Sequence, residues 1–466
     1  MASATLPGKA HDFLSQRILL PLASARQLAR PATRPGMKAY FEGLRFRAAA
    51  ARWTDDERRA WIRDRLRHVV RRAAREAVYY RALFERVGFS PDADFSFDDF
   101  ARLPVLERAD VRRDRDAMVS AALPADQLRL DATGGSTGAP TEVWLGPEER
   151  GWRDSGTEHF MRQIAIRAGS RVAYLWGHHL DPVAQDSLRE RWRSFESNMA
   201  WFDCFRLSAD VLESYHERLE RLRPSCIIAY AGALAALADH LKEHRHQPGY
   251  PVQALVTGAE KLWPAQREVV EQVFKRPVHE RYGGRDVGGL AFQLAPAQSL
   301  DYTVDWANVL IEPETTEQDS AILITKLRAD GMLMLRYRVG DVARFPAGSL
   351  PGHPALVLHE VLGRALDRIW LRDGRWIHGG QLPHLMKSHP VREFMFRQQA
   401  DYSVDISVVP TPGFGPAARS AILQTVRSNL PGLDVRLVEV GSIPRMGANK
   451  WRPVVTDVTP PVRVQA

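Results

Sequence analysis

Between residues 172 and 282, short apolar runs alternate with amphipathic helical stretches, and this alternation narrows the fold more than any other feature of the chain. Residues 172–176, 226–230, 252–257 and 278–282 read as strands. Residues 207–222, 232–244 and 264–274 carry apolar side chains at helical spacing. A five-residue run with no polar alternation is buried on both faces, which requires helices above and below a mostly parallel sheet. The predicted class is therefore α/β, with a large N-terminal domain of mostly parallel sheets and helices. Upstream, Ile62, Leu66, Val69, Ala73 and Ala77 predict a single long helix over residues 54–87, followed by a loop at 90–97 and helical pieces at 98–106 and 108–118. Residues 321–325 and 332–337, joined by 326–331, predict an antiparallel hairpin. A boundary is expected near Gly363. Strands at 402–409 and 435–440 and a helix at 416–430 then form a small, mobile α+β domain. The expected division is 1–120 (a helical region of the large domain), 121–362 (its core) and 363–466 (the small domain).

Composition excludes several classes. Of 466 residues, 45% are hydrophobic and 26% charged, and no run reaches the roughly 18 apolar residues a membrane span needs. The net charge of +8 is scattered rather than gathered in a tail, so nucleic acid is not expected as a partner. The arginines between Arg58 and Arg75 read as a solvated helix face. A basic balance also suits anionic substrates. Cys204 and Cys226 are the only cysteines and are expected to be reduced and buried, consistent with a cytoplasmic setting. The apolar run at residues 18–23 is short and contains Pro21, so a leader peptide is not expected despite Ala23-Ser24-Ala25.

The sharpest motif is Asp131-Ala132-Thr133-Gly134-Gly135-Ser136-Thr137-Gly138-Ala139-Pro140-Thr141. Glycine permits backbone turns that aim consecutive amides at one anion, and the hydroxyls add donors to phosphate oxygens. It matches neither the G-x-x-x-x-G-K-[ST] loop nor the G-x-G-x-x-G dinucleotide pattern. Taken alone, a flexible Ser/Gly loop explains it equally well.

Further segments follow in order: Thr257-Gly258-Ala259-Glu260, Tyr282-Gly283-Gly284-Arg285-Asp286, Tyr337-Arg338-Val339-Gly340-Asp341, Gly363-Arg364-Ala365-Leu366-Asp367 and Asn449-Lys450-Trp451-Arg452. With Tyr79-Tyr80-Arg81 and the stretch from Phe100 to Arg112, they resemble the adenylate-forming superfamily of acyl-CoA ligases, luciferases and adenylation domains. The resemblance is closest to the phenylacetate–CoA ligase family and its capsule-biosynthesis relatives. It covers about residue 50 to about residue 453.

The resemblance implies roles. Thr133, Gly134, Gly135, Ser136, Thr137 and Gly138 would hold the β- and γ-phosphates of ATP. Gly258, Ala259, Glu260, Tyr282 and Gly283 would border nucleotide and acid, with Tyr282 beside the adenine. Asp286 would help hold Mg²⁺. Asp341 would accept both ribose hydroxyls, and Arg364 would contact the ribose or α-phosphate. Asp367 would lie in a hinge, and Lys450 would meet the α-phosphate and carboxylate oxygens as charge builds there. The implied reaction is ATP-dependent activation of a carboxylic acid, expected to be aromatic, as acyl-AMP, then transfer to coenzyme A. Acyl or adenylyl transfer to an amine or hydroxyl is the alternative, as is a non-catalytic nucleotide-binding relative. ATP, Mg²⁺ and coenzyme A are the expected cofactors; a homodimer is admissible.

This sequence departs from the pattern at Ala139, where many relatives carry lysine, at Asp286 in place of glutamate, at Leu366 in place of a first hinge aspartate, and at Ala448-Asn449 before Lys450. Asn tolerates the left-handed turn that glycine usually takes. Pocket residues for the acid are expected within 176–179, 230–233 and 258–260. His178-His179 with Asp181 lacks zinc-helix spacing and reads as pocket lining, and His240, His244 and His246 read as a solvated helix end. Nothing in the sequence pairs Asp203 with Glu213.

Overall fold

The computed structural model describes residues 36–132, 141–167, 169–176, 198–204, 207–364, 368–372, 376–378, 382–386, 389–444 and 453–458. The chain divides into two compact units. One runs to Val339 and takes in Ala343–Glu360; the other holds Gly340–Val342 and the chain from Val361 onward.

The first unit opens with helices α1 (Met37–Ala49), α2 (Asp55–Glu76), α3 (Val78–Val87), α4 (Phe97–Ala101) and α5 (Arg108–Asp114). The single helix expected over residues 54–87 is two, broken at an extended Ala77 (φ −122°, ψ 122°). The apolar period runs through the break unchanged, so local propensity does not decide it. Long-range bonds do: the Tyr80 hydroxyl donates to the Leu333 carbonyl and accepts from the Leu335 amide. The Arg81 guanidinium donates to the Ala74 and Arg75 carbonyls, which the end of α2 leaves without an intrahelical partner. At its start α2 is fixed by a Thr54/Glu57 capping box.

Strands β1 (Arg129–Ala132) and β2 (Glu142–Leu145) form an antiparallel pair, and α6 (Pro147–Gln163) follows. Next come β3 (Val172–Trp176), β4 (Met199–Asp203), α7 (Ala209–Leu222), β5 (Cys226–Tyr230), α8 (Ala231–Glu243), β6 (Ala254–Gly258), α9 (Pro264–Phe274), β7 (Val278–Gly284), β8 (Gly288–Phe292) and β9 (Tyr302–Val304). After these run β10 (Val309–Pro313), β11 (Asp319–Lys326), β12 (Tyr337–Arg344) and β13 (Val357–Leu358). The large sheet has the order β13-β9-β8-β7-β6-β5-β3-β4. From β4 to β7 every pairing is parallel, and beyond β7 the pairings are antiparallel. Both faces are covered, as the unbroken apolar runs require. Ile227 and Ala229 of β5 pack with Leu234, Leu237 and Leu241, while Cys226 and Ile228 pack with Phe160 and Phe292. Both cysteines are buried, and neither is in a disulfide among the described residues.

The hairpin expected at 321–337 is only half present. Its first strand is β11, but residues 332–336 are not a strand and the next one, β12, starts at Tyr337. Arg336 adopts a left-handed φ of 50° and turns its guanidinium inward, where it meets Glu312 at 3.1 Å and the carbonyls of Ala101 and Leu103.

The second unit contains β14 (Glu360–Arg364), the antiparallel pair β15 (Arg368–Trp370) and β16 (Trp376–His378), and α10 (Leu382–Met386). Its four-stranded sheet has the order β19-β18-β17-β20, from β17 (Val391–Gln398), β18 (Val404–Pro410), β19 (Val435–Glu439) and β20 (Val454–Thr456). Helix α11 (Pro416–Asn429) joins β18 to its parallel neighbour β19 and buries Ile422 and Val426 against Ile406 and Val408. No described helix is long and apolar enough to cross a membrane.

Candidate active site

In an open α/β sheet, ligands bind in the crevice beyond the carboxyl ends of the parallel strands. Register sets which residues stand there. Leu175 pairs with Ala229, Tyr230 with Gly258 and Gly258 with Arg281, so Trp176, Tyr230 and Gly258 end three adjacent strands beside Arg281 of β7. Trp176 and Tyr230 rings are 4.3 Å apart, and the Arg281 guanidinium lies 5.9 Å from the Trp176 ring. Burial lowers the pKa of that guanidinium from its ordinary value. Of the predicted pocket residues, Trp176, Tyr230 and Gly258 are thus brought together, while residues 177–179 and Asp181 lie outside the described residues.

The turn after β6 is conformationally unusual. Ala259 has φ 65°, a left-handed backbone that costs a β-carbon-bearing residue free energy and recurs at functional sites. It delivers Glu260 to the start of α8, where the carboxylate accepts the Gly232 amide at 3.0 Å. After β7 the chain makes a hairpin into β8, with a bulge between Tyr282 and Gly283. A β-carbon on Gly283 would stand 2.1 Å from the Gly288 carbonyl oxygen, so only glycine permits this approach.

Residues 133–140, the expected phosphate loop, lie outside the described residues, but their anchors do not. Ala132 pairs with Glu142, so residues 133–140 connect the strands at that end of the β1–β2 hairpin. Arg285 donates to the Ala132 carbonyl at 3.4 Å. Two segments separated by about 150 residues of sequence therefore meet at the root of that loop.

The turn carrying Arg285 and Asp286 is held by groups that motif reading missed. Arg153 of α6 donates to the carbonyls of Arg285 and Asp286, both at 2.9 Å. It also pairs with the buried Glu149, whose other cationic neighbour is the buried Lys326 at 3.1 Å. Burial lowers the Lys326 pKa, and Glu149 opposes the shift. Asp330 accepts the Glu148 and Glu149 amides at 2.7 and 3.0 Å, capping α6 from across the sequence. Two signals were present in sequence: Glu149 and Arg153 are four residues apart on a helix, and Lys326, one of few lysines, closes an apolar strand.

Asp286 is buried, and one carboxylate oxygen accepts the Tyr337 hydroxyl at 3.1 Å. Burial, then the Asp286 charge, raises the Tyr337 phenol, which stays protonated as donor. Asp341 is half-buried on β12. Arg364 ends β14, with its side chain outside the described residues, as are Ala139, Leu366, Asp367, Ala448, Asn449 and Lys450 entirely.

The histidine cluster departs from expectation. His240 is buried, not solvated, and its Nε2 lies 2.8 Å from Glu213, with His246 Nε2 at 3.2 Å. No group of three or more histidine, cysteine or carboxylate side chains among the described residues is arranged to hold a metal ion.

No protein-family profile matches the chain. It is 22% identical over 319 residues to a phenylacetate–coenzyme A ligase of Pseudomonas putida, covering 66% of this chain and 71% of that one. Likeness to the phenylacetate–coenzyme A ligase of Thermus thermophilus is 21% over 443 residues, covering 85% and 96%. Among solved structures, 2-hydroxyisobutyryl-CoA ligase in the postadenylation state with 2-HIB-AMP superposes with a TM-score of 0.68. That match has 19% identity and covers 87% of this chain and 90% of that one.

Proposed function

We propose, from the premise that this chain belongs to the adenylate-forming superfamily, that it joins a carboxylic acid to AMP and then to the thiol of coenzyme A. The observation that supports this most is the meeting of Arg285 with the root of the loop 133–140, beside the carboxyl edge of the parallel sheet. The acid pocket is assigned to Trp176, Tyr230 and Gly258, at the carboxyl ends of β3, β5 and β6.

In the first half-reaction a carboxylate oxygen attacks the α-phosphorus, the bond to the β-phosphate oxygen breaks, and pyrophosphate leaves. In the second, the sulfur of coenzyme A attacks the acyl carbon, a C–S bond forms, AMP departs with the oxygen, and the thiol proton is released. The protein's work is positioning and neutralising charge. Thr133, Gly134, Gly135, Ser136, Thr137 and Gly138 donate to phosphate oxygens, and Tyr282 and Gly283 border the adenine. Asp341 accepts the ribose hydroxyls, with Arg364 beside them. Lys450 faces the α-phosphate during the first half-reaction and withdraws with the small domain, residues 363–466, about Asp367. Magnesium, when it arrives on the nucleotide, neutralises phosphate charge. Asp286 would fit such an ion: one oxygen takes the Tyr337 hydroxyl, no donor to the other is seen among the described residues, and Mg²⁺ bound through substrate phosphates needs only one or two carboxylates. Trp176 and Tyr230 favour an aromatic acid, with the Arg281 charge near its carboxylate.

The test is pyrophosphate release against a panel of aromatic and aliphatic acids, with and without coenzyme A, in a cytoplasm-like buffer. Lys450→Ala should lower acyl-AMP formation about 10²-fold or more while leaving thioester formation from synthetic acyl-AMP largely intact. Pyrophosphate release without consumption of coenzyme A would move the acceptor to an amine or hydroxyl. No release with any acid would reduce the chain to a nucleotide-binding relative.

A further inference from the structure

The arginines of α2 do not all form the solvated face expected of them. Arg65, His68, Arg72 and Arg75 recur at helical spacing on one side of the helix and, with Glu76 and Glu148, line a cavity of about 440 Å³ at the start of α6. The Arg65 and Arg72 side chains are each only 17% exposed. Each is moored on one edge: Arg65 Nε donates to the Leu327 carbonyl at 2.8 Å, and Arg72 Nη1 to the Ala329 carbonyl at 3.0 Å. Glu76 occupies much of Arg72 by a two-pronged bond. Glu148 is shared, 3.5 Å from Arg65 and 3.9 Å from Arg328. Arg75, on the exposed rim, gives its Nε to the Arg71 carbonyl, and its terminal nitrogens have no protein acceptor among the described residues.

The balance of charge is positive. Three arginines and a histidine face two carboxylates, one of which also serves Arg328. We propose that this cavity binds the phosphoryl group of a small phosphate monoester, at a site separate from the nucleotide loop. The terminal nitrogens of Arg75 can match phosphate oxygens in pairs, which a single lysine cannot do, while Arg72, committed to Glu76 and the Ala329 carbonyl, and Arg65 add positive charge behind them. The volume is in the range of small-molecule sites and exceeds what one phosphate ion fills. Its lining carries no aromatic or aliphatic wall, so the body of the ligand is polar, of the sugar-phosphate kind, rather than a stacked base. The anchors of the two sites stand at opposite ends of the hairpin. The loop 133–140 joins the far ends of β1 and β2, whereas Glu148 follows the near end of β2, beyond Leu145.

The local field agrees with the geometry. Burial first, then Arg65 and Arg72, lowers the His68 imidazole. Burial, then Arg65, pulls the Arg328 guanidinium down to about 9. An anion entering the cavity must push both back up.

The experiment follows the His68 imidazole by nitrogen-15 NMR in the full chain, at ionic strength matched with chloride. Ribose 5-phosphate should shift His68 saturably and raise its pKa. Arg75→Glu, a rim substitution in a folded protein checked by circular dichroism, should weaken the effect at least tenfold; Arg75→Lys should keep most of it. Inorganic phosphate is the second arm. Tighter saturation by the sugar phosphate supports the proposal. Equal or tighter saturation by the free ion overturns the monoester assignment. A His68 shift that grows linearly with added salt, or that is unchanged in Arg75→Glu, overturns the site.

Discussion

The parallel sheet and the buried ionic junction, made up of the pairs Glu149–Lys326 and Glu312–Arg336, both exclude water, yet they are built on opposite terms. In the core on the sheet, Ile227 and Ala229 of β5, Leu237 of α8 and Val270 of α9 exclude water with apolar surface alone. In the junction, Glu149, Lys326, Glu312 and Arg336 are ionisable side chains, each 4% exposed or less. Packing of the first kind tolerates small changes in proportion to the atoms removed. Packing of the second kind holds only while every partner is present, because an orphaned charge has no solvent to fall back on. That difference yields separable outcomes for mutation.

The largest loss should come from Arg336→Ala. Burial already pushes the Glu312 carboxyl up, and Arg336 is the main group opposing that. Removing the guanidinium strands Glu312 and frees the Ala101 and Leu103 carbonyls, for about 3–5 kcal/mol by urea unfolding. The double variant Arg336→Leu with Glu312→Leu should regain part of this loss. In the apolar core on the sheet no second substitution should rescue the first. Leu237→Ala, at a fully buried position, should cost about 3 kcal/mol. If the Arg336 double variant is as unstable as the single, the contrast between the two kinds of packing fails.

Arg153→Ala should be milder in stability and selective in function. It removes the two donors that hold the Arg285–Asp286 turn but leaves Lys326 beside Glu149. The expected outcome is a KM for ATP raised about fivefold, near 1 kcal/mol, with a smaller change in KM for the acid. Equal changes in both would assign Arg153 to general stability.

The same contrast explains what sequence disclosed. The bounds of α9 and β5 follow from local apolar period and turn signals, because each element's burial is written in its own residues. The break at Ala77 and the lost strand at 332–336 were not legible, since the Tyr80 hydroxyl and the Arg336 guanidinium find partners more than 230 residues away. Within the site, glycines such as Gly258 and Gly283 were visible as motif members. The Arg153 clamp was not, because an i,i+4 Glu–Arg pair on a helix usually marks a solvated face.

The smallest effect tests whether the basic cavity belongs with the charged junction or with the solvated surface. Glu76 is one-fifth exposed, between the two extremes. Its pKa lies below the ordinary carboxyl value of 4.5: burial alone would raise it, but hydrogen bonds from Arg72 and Ser120 and the Arg72 charge more than offset that. A carboxylate depressed on folding contributes stability above its unfolded pKa and loses it as pH falls through its folded one. Wild type should therefore lose stability on going from pH 5 down through the range below about 4.5. Glu76→Gln should start lower at pH 7 and lose less over that interval, a difference of about 1 kcal/mol or less, because a partly exposed pair is screened. Parallel melting curves of the two proteins from pH 3 to pH 7 measure it. If the curves run parallel throughout, Glu76 is as weakly coupled as a surface residue, and the cavity around Arg72 is an open face rather than a continuation of the buried ionic junction.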